Sequence, residues 1–341
     1  MLLETNIFMT KHIFLTTLAF FIIAIAAGQA DSSVAAQNEL TIYVIPSKVK
    51  YDWSSPSSLY KSYFSNYKKN MFKKDRYIMG HAFVELSTPL APSGRILTGM
   101  RSVSREEQKN MVVKEHYGLS ILGADMQGRL QTSTELDYEV DKYSRKGQLA
   151  FMSFIISDGA AERMVQFYQS YQAGFDSNGS CGARYGGAFW PRYKGEGAGC
   201  SAFAVSFLDL AGLLKDEFDE WLVRINIPKD LIGGPYNNNN EVRLKDIKKY
   251  ESWAESTDSA YVNYEPFEIF DPTLMYDWIQ LEWEADSLNN ISLIPLQLNK
   301  ARGILIDSRD QPLPDEESIF IERKKRSIFI DYYHQKYAGG N

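Results

Sequence analysis

The chain has 341 residues, 44% of them hydrophobic, and a formal net charge of -6. That length buries a large core as one domain or two, and the acidic balance argues against a general nucleic-acid binder. No grouping of His, Cys, Asp and Glu has zinc spacing and no glycine loop ends in Gly-Lys-Ser/Thr, so neither metal nor cofactor is expected.

Lys11-His12 precede an apolar run from Ile13 to Ala27, followed by Gly28-Gln29-Ala30. This is the pattern of a signal peptide over residues 1–30, cut after Ala30, since about 15 apolar residues fall short of the roughly 20 needed to span a bilayer. The expected location is secreted or periplasmic, with no transmembrane segment after signal removal. Residues 31–39, small and polar, read as a flexible leader.

Leu40–Ile45 is β-branched and aromatic, a strand ended by Pro46. A short helix is expected near Ser58–Asn66. Tyr77–Leu86 reads as a strand entered through Gly80 and carrying His81, with Arg95–Met100 as its hairpin partner. Ser104 N-caps a short helix. Tyr117–Leu122 and Leu130–Val140 read as weak strands, and Gln148–Ile156 as a strong one. Asp158 is expected to cap a helix over Gly159–Gln172, with Ala161, Met164, Val165, Tyr168 and Tyr171 on one side and Gly174 as its stop. Phe175–Gly199 is a long Gly- and aromatic-rich loop, of the kind usually tied to function.

Gly195-Glu196-Gly197-Ala198-Gly199-Cys200 then leads into an apolar run to Leu210. Alternating glycines suit a turn with close backbone approach, and the run reads as a buried helix. Cys200 falls in its first turn, where unpaired N–H groups and the helix dipole stabilise negative charge. A cysteine at a helix start and a histidine, His81, at a strand start make a Cys–His pair for nucleophilic catalysis. The competing reading is a Cys181–Cys200 disulfide in a non-catalytic exported binding or structural protein, because an even cysteine count in an exported chain suggests a bridge. Beyond Trp221–Pro228, a strand, residues 236–341 are more charged and read as a C-terminal extension or small lobe behind a domain over 40–235. There Leu244–Ala254 and Thr273–Glu284 look helical, Ile294 and Gly303–Ile306 form short strands, and Glu322–Arg326 reads as a solvated charge run.

Gly80-His81-Ala82-Phe83-Val84-Glu85-Leu86, with Gly199-Cys200-Ser201-Ala202-Phe203 far downstream and Tyr185-Gly186-Gly187-Ala188-Phe189 before the cysteine, resembles the circularly permuted NlpC/P60 group of papain-like cysteine hydrolases. The similarity covers roughly 40–214. It implies an α+β fold with a papain-like core, an antiparallel sheet packed against the cysteine-bearing helix. It also implies Cys200 as nucleophile, His81 as general base, and a peptide, peptidoglycan or acyl substrate cleaved at an amide or ester. The third residue, a polar group orienting the imidazole, stays open. Thr98, Ser102 and His116 are candidates, whereas Glu85 shares a strand face with His81 but lies about 13 Å along it.

Overall fold

The computed structural model describes residues 37–70, 79–176, 181–256, 263–286, 293–315 and 318–338. The signal-peptide reading falls outside the described residues, as does most of the leader. The ordered chain opens with β1 (Glu39–Ile45). Leu40, Ile42 and Val44 are buried on one face of it, Tyr43 and Ile45 on the other, so the strand takes an interior place in a six-stranded sheet. The elements that follow are α1 (Pro56–Asn70), β2 (His81–Ser87), β3 (Arg95–Thr98), β4 (Met100–Ser102), α2 (Arg105–Val113), β5 (Met126–Leu130), α3 (Ser133–Ser144), β6 (Ala150–Ile156), α4 (Asp158–Asp176), β7 (Arg184–Tyr185) and α5 (Cys200–Leu210). After them come β8 (Leu222–Pro228), α6 (Leu244–Ile247), β9 (Tyr264–Phe270), α7 (Pro272–Asp286), β10 (Leu293–Leu298), β11 (Ala301–Ser308) and α8 (Ile328–Ala338).

The fold is mixed α+β. The main sheet runs β10-β11-β6-β1-β2-β3, and its pairings are antiparallel except β11 beside β6, which is parallel. The sheet expected as antiparallel is therefore mixed. A long connection carrying α4, α5 and α7 returns the chain to its far edge, which is what a parallel pairing requires. β4-β5-β7 and β8-β9 form two smaller sheets. One face of the main sheet packs against α4, α5 and α7 through Val84, Met152, Met164, Phe203, Phe207 and Ile279. The other face, with Phe83 and Phe151, is covered by Leu136 and Tyr143 of α3.

Residues Ala36–Asn341 make one compact unit, and β10 and β11 belong to the main sheet. The change of composition near residue 236 thus marks no boundary in the fold. Local corrections have local causes. Leu130–Val140 runs from the last residue of β5 into the first two turns of α3, because Thr132 and Glu135 form a reciprocal capping box. Tyr117–Leu122 holds a 3-10 turn, not a strand. Ser157, one residue before Asp158, caps α4 by accepting from Ala160 N–H, and Gly174 lies inside that helix. Leu244–Ala254 keeps a single helical turn, α6. Among the described residues no helix is long and apolar enough to cross a membrane.

Candidate active site

Gly199 N-caps α5 and offers no side-chain cap, so among the described residues the first N–H groups of the helix, beginning at Cys200, have no capping side chain from that position. The approach to that end is set by Gly197. A Cβ there would lie 2.3 Å from the Arg184 carbonyl oxygen, so only glycine lets the loop pass this close to β7. Below its first turn α5 is anchored by Phe203 and Phe207, which pack on Phe167 of α4 with ring centroids 6.2 and 5.5 Å apart. Cys200 is half-buried and carries a free thiol, so the bridge to Cys181 is not the arrangement found. Among the described residues the thiol's hydrogen bond goes to Ser201 Oγ, at 3.9 Å, and not to His81.

His81 is the first residue of β2, opposite Ile45 in β1. Phe83, two positions on, lies on the α3 side of the sheet with its ring tilted against the imidazole at 5.6 Å, whereas Ala82 and Val84 face α5. From this end position His81 lines a cavity of about 800 Å³ that Cys200 and Ser201 also line. The cavity lies where β1 leaves the sheet and β2 enters it. Its walls are largely apolar and aromatic, with Trp53, Tyr60, Trp190, Phe267 and Phe270 among them.

The imidazole has a defined partner. His81 Nε2 lies 2.5 Å from Gln131 Oε1. A carbonyl oxygen only accepts, so Nε2 carries the proton and Nδ1 the lone pair. Gln131 is itself buried and held by its N–H to the Gly99 carbonyl, 2.8 Å. Burial pulls the His81 pKa down to about 3. The bond to Gln131 works against that pull, and the charge of Arg101 adds to it. Of the candidates for the orienting residue, Thr98 is buried on β3 and its hydroxyl has no hydrogen bond among the described residues, and Ser102 accepts from Gln108 at 3.4 Å. His116 sits at a φ of 54° with its carbonyl bonded to Val242 N–H. Glu85 binds Tyr43 and Arg95.

No protein-family model, curated protein or solved structure matches the chain.

Gln131 carries no motif that singles it out in the sequence. The signal that bears on it is its neighbour. Thr132-x-x-Glu135 announces a helix start, and the residue before an N-cap holds a defined position. A second group also escaped sequence reading. Glu196, inside the glycine turn, is buried and accepts from Arg323 at 2.5 and 2.7 Å and from Trp190 N–H at 3.1 Å. Arg323 lies in the run taken for a solvated face. It is drawn inward by that carboxylate, by the Ala188 carbonyl at 3.1 Å and by the face of Tyr193 at 4.3 Å. Among the described residues no group of three or more His, Cys, Asp and Glu is placed to hold a metal ion.

Proposed function

We propose that this protein is an exported thiol hydrolase that cleaves an amide or ester bond, with Cys200 as nucleophile and His81 as base, on a core of the permuted NlpC/P60, papain-like kind. The observation that carries the reading is a free thiol at a helix N-terminus with no side-chain cap and a neutral, oriented imidazole lining one cavity. Substrate enters the space between the two groups. The Cys200 sulfur forms a bond to the carbonyl carbon while its proton passes to His81 Nδ1. Negative charge on the carbonyl oxygen is taken up by N–H groups at the start of α5. The tetrahedral species then expels the amine or alcohol, which takes the proton from His81. Water, deprotonated by His81, then attacks the thioester carbonyl, the C–S bond breaks to release the acid, and the proton on His81 returns to the Cys200 sulfur. Gln131 keeps the ring in the tautomer that this sequence needs. Because burial keeps His81 uncharged at rest, the thiol proton moves during attack and not beforehand.

The apolar wall supports an acyl chain or the apolar side chains of a peptide as the part of the substrate beside the scissile bond. The rival reading, an exported binding protein without catalysis, draws on the same volume. Intact-mass analysis after mixing with p-nitrophenyl acyl esters and with peptidoglycan stem peptides separates them. An acyl adduct on Cys200 is expected, absent in Cys200→Ala. Turnover should fall by about 100-fold or more in His81→Ala, the usual size of a general-base contribution. No adduct and no turnover in the wild type would leave the binding protein, and turnover unchanged in Cys200→Ala would remove Cys200 as nucleophile.

A further inference from the structure

We infer that the outer face of α1 docks this protein on a bilayer surface rich in anionic headgroups. The buried side of this helix holds Leu59 together with two polar residues, Ser62 and Asn66, and Asn66, 0% exposed, exchanges hydrogen bonds of 2.7 and 2.8 Å with the Val49 backbone. Its outer side keeps Tyr63, Phe64 and Tyr67 at 37%, 40% and 40% exposure. A surface helix that merely packs on a core turns polar and charged residues outward instead of a run of aromatic rings. The aromatic residues fall at three- and four-residue spacing and so share a face, with Tyr60 stacked on Phe64 at 6.0 Å.

The charge of this helix has one sign. Lys61 and Lys68 border Phe64 at three- and four-residue spacing, Lys69 is exposed on the opposite flank, and the fifteen residues of α1 include no acidic side chain, in a chain whose net charge is -6. Lys68 lies over the Phe64 ring at 4.6 Å. Tyr and Phe rings settle at headgroup depth, with one end apolar and the other wet, while lysine stems run along apolar surface and keep their ammonium groups at the phosphates. A second copy of the chain fits this face less well, because an isologous contact would bring the same lysines together. Leu59, Tyr60 and Tyr63 also line the large cavity, so the docked face adjoins it. None of this depends on the thiol being catalytic.

The test is sedimentation of the full chain with vesicles of phosphatidylcholine alone or mixed with phosphatidylglycerol. Binding is expected to the mixed vesicles and to fall as salt rises. Each lysine near such a surface is worth about five-fold in partitioning, so the combined variant Lys61→Glu, Lys68→Glu, Lys69→Glu should bind at least about 100-fold more weakly. Phe64→Ser with Tyr67→Ser should weaken binding at least about ten-fold without changing charge. These residues are exposed, and an unchanged melting curve shows that the fold survives. Cys200→Ala should bind as the wild type does, which keeps docking separate from catalysis. Equal binding to both vesicle types, or binding indifferent to either combined variant, would overturn the inference. Self-association that both variants abolish, without vesicle binding, would assign the face to a second copy and overturn it too.

Discussion

The His81 imidazole is buried, 1% exposed, beside Phe83 and Gln131, and this makes it a stability determinant as well as a candidate base. Its folded pKa of about 3 lies below the ordinary value of 6.5, because burial penalises the charged ring. Above the ordinary value neither folded nor unfolded chain holds this proton, and the group adds no pH dependence. As the pH falls through about 6.5 the unfolded chain takes up the proton and the folded chain does not, so stability drops by up to about 1.4 kcal/mol per pH unit until the folded ring also titrates near 3. Between pH 7 and pH 5 the wild type should therefore lose about 2 kcal/mol that His81→Phe does not lose, by urea unfolding of both at each pH. Equal losses would mean that the ring is not held neutral. The two candidate residues, Cys200 and His81, could be read from the chain because each follows a glycine at the start of a regular element. Their orienting partner could not, since nothing in the sequence ties residue 131 to residue 81.

The element that places Gln131 is α3. Its first turn is closed in both directions, Glu135 N–H to Thr132 Oγ1 at 3.3 Å and Thr132 N–H to Glu135 at 3.0 Å, and Arg129 pairs with Glu135 from the other side of Gln131. Thr132→Ala removes the reciprocal cap and should cost about 1 kcal/mol of stability. It should also let the Gln131 segment shift, so hydrolysis should fall further than the stability loss alone explains, whereas Thr132→Ser, which keeps the hydroxyl, should restore both. Paired unfolding and turnover measurements on the two variants check this, and an Ala variant with full activity would detach the cap from the site. The strands β1 and β6 were legible because buried β-branched and aromatic runs suit little else, and β8 because its β-branched residues alternate with polar ones. The same hydrophobic reading failed over Leu130–Val140, where apolar residues are sparse and capping chemistry decides the structure. It failed again at Leu244–Ala254, where the helix keeps one turn and the backbone beyond it bonds elsewhere, the Tyr250 carbonyl accepting from Ser57 N–H and Ala254 N–H donating to the Asn226 carbonyl.

At the scale of the whole molecule, the segment after β11 closes over the loop that delivers Cys200. Ile321 N–H bonds the Arg192 carbonyl at 2.9 Å, and Lys194 N–H bonds the Ile321 carbonyl at 3.1 Å. Buried Arg192 reaches back to the Ile319 and Ser318 carbonyls, and to Asp209 near the end of α5 at 2.6 Å. Arg323 then completes the clasp on Glu196, four residues before Cys200. A sequence pattern holds little of this, because all of these contacts but Arg192–Asp209 join residues more than 100 positions apart and the charges look solvated until they meet. Glu196 is 1% exposed, so removing its partner strands a buried carboxylate. Arg323→Ala should therefore destabilise the protein by about 3 kcal/mol, the lower end of the range for a broken buried pair because Arg323 is itself partly exposed. Replacing both groups by shapes of similar size, Arg323→Met with Glu196→Gln, should recover much of that loss, since no buried charge is left without its counterion. If the pair holds the Cys200 loop in place, the double variant should also regain more hydrolysis than the single one. Urea unfolding and turnover of the wild type, the single and the double variant decide it. Single and double variants that unfold alike would show that the clasp, and not the charge pairing within it, holds the loop.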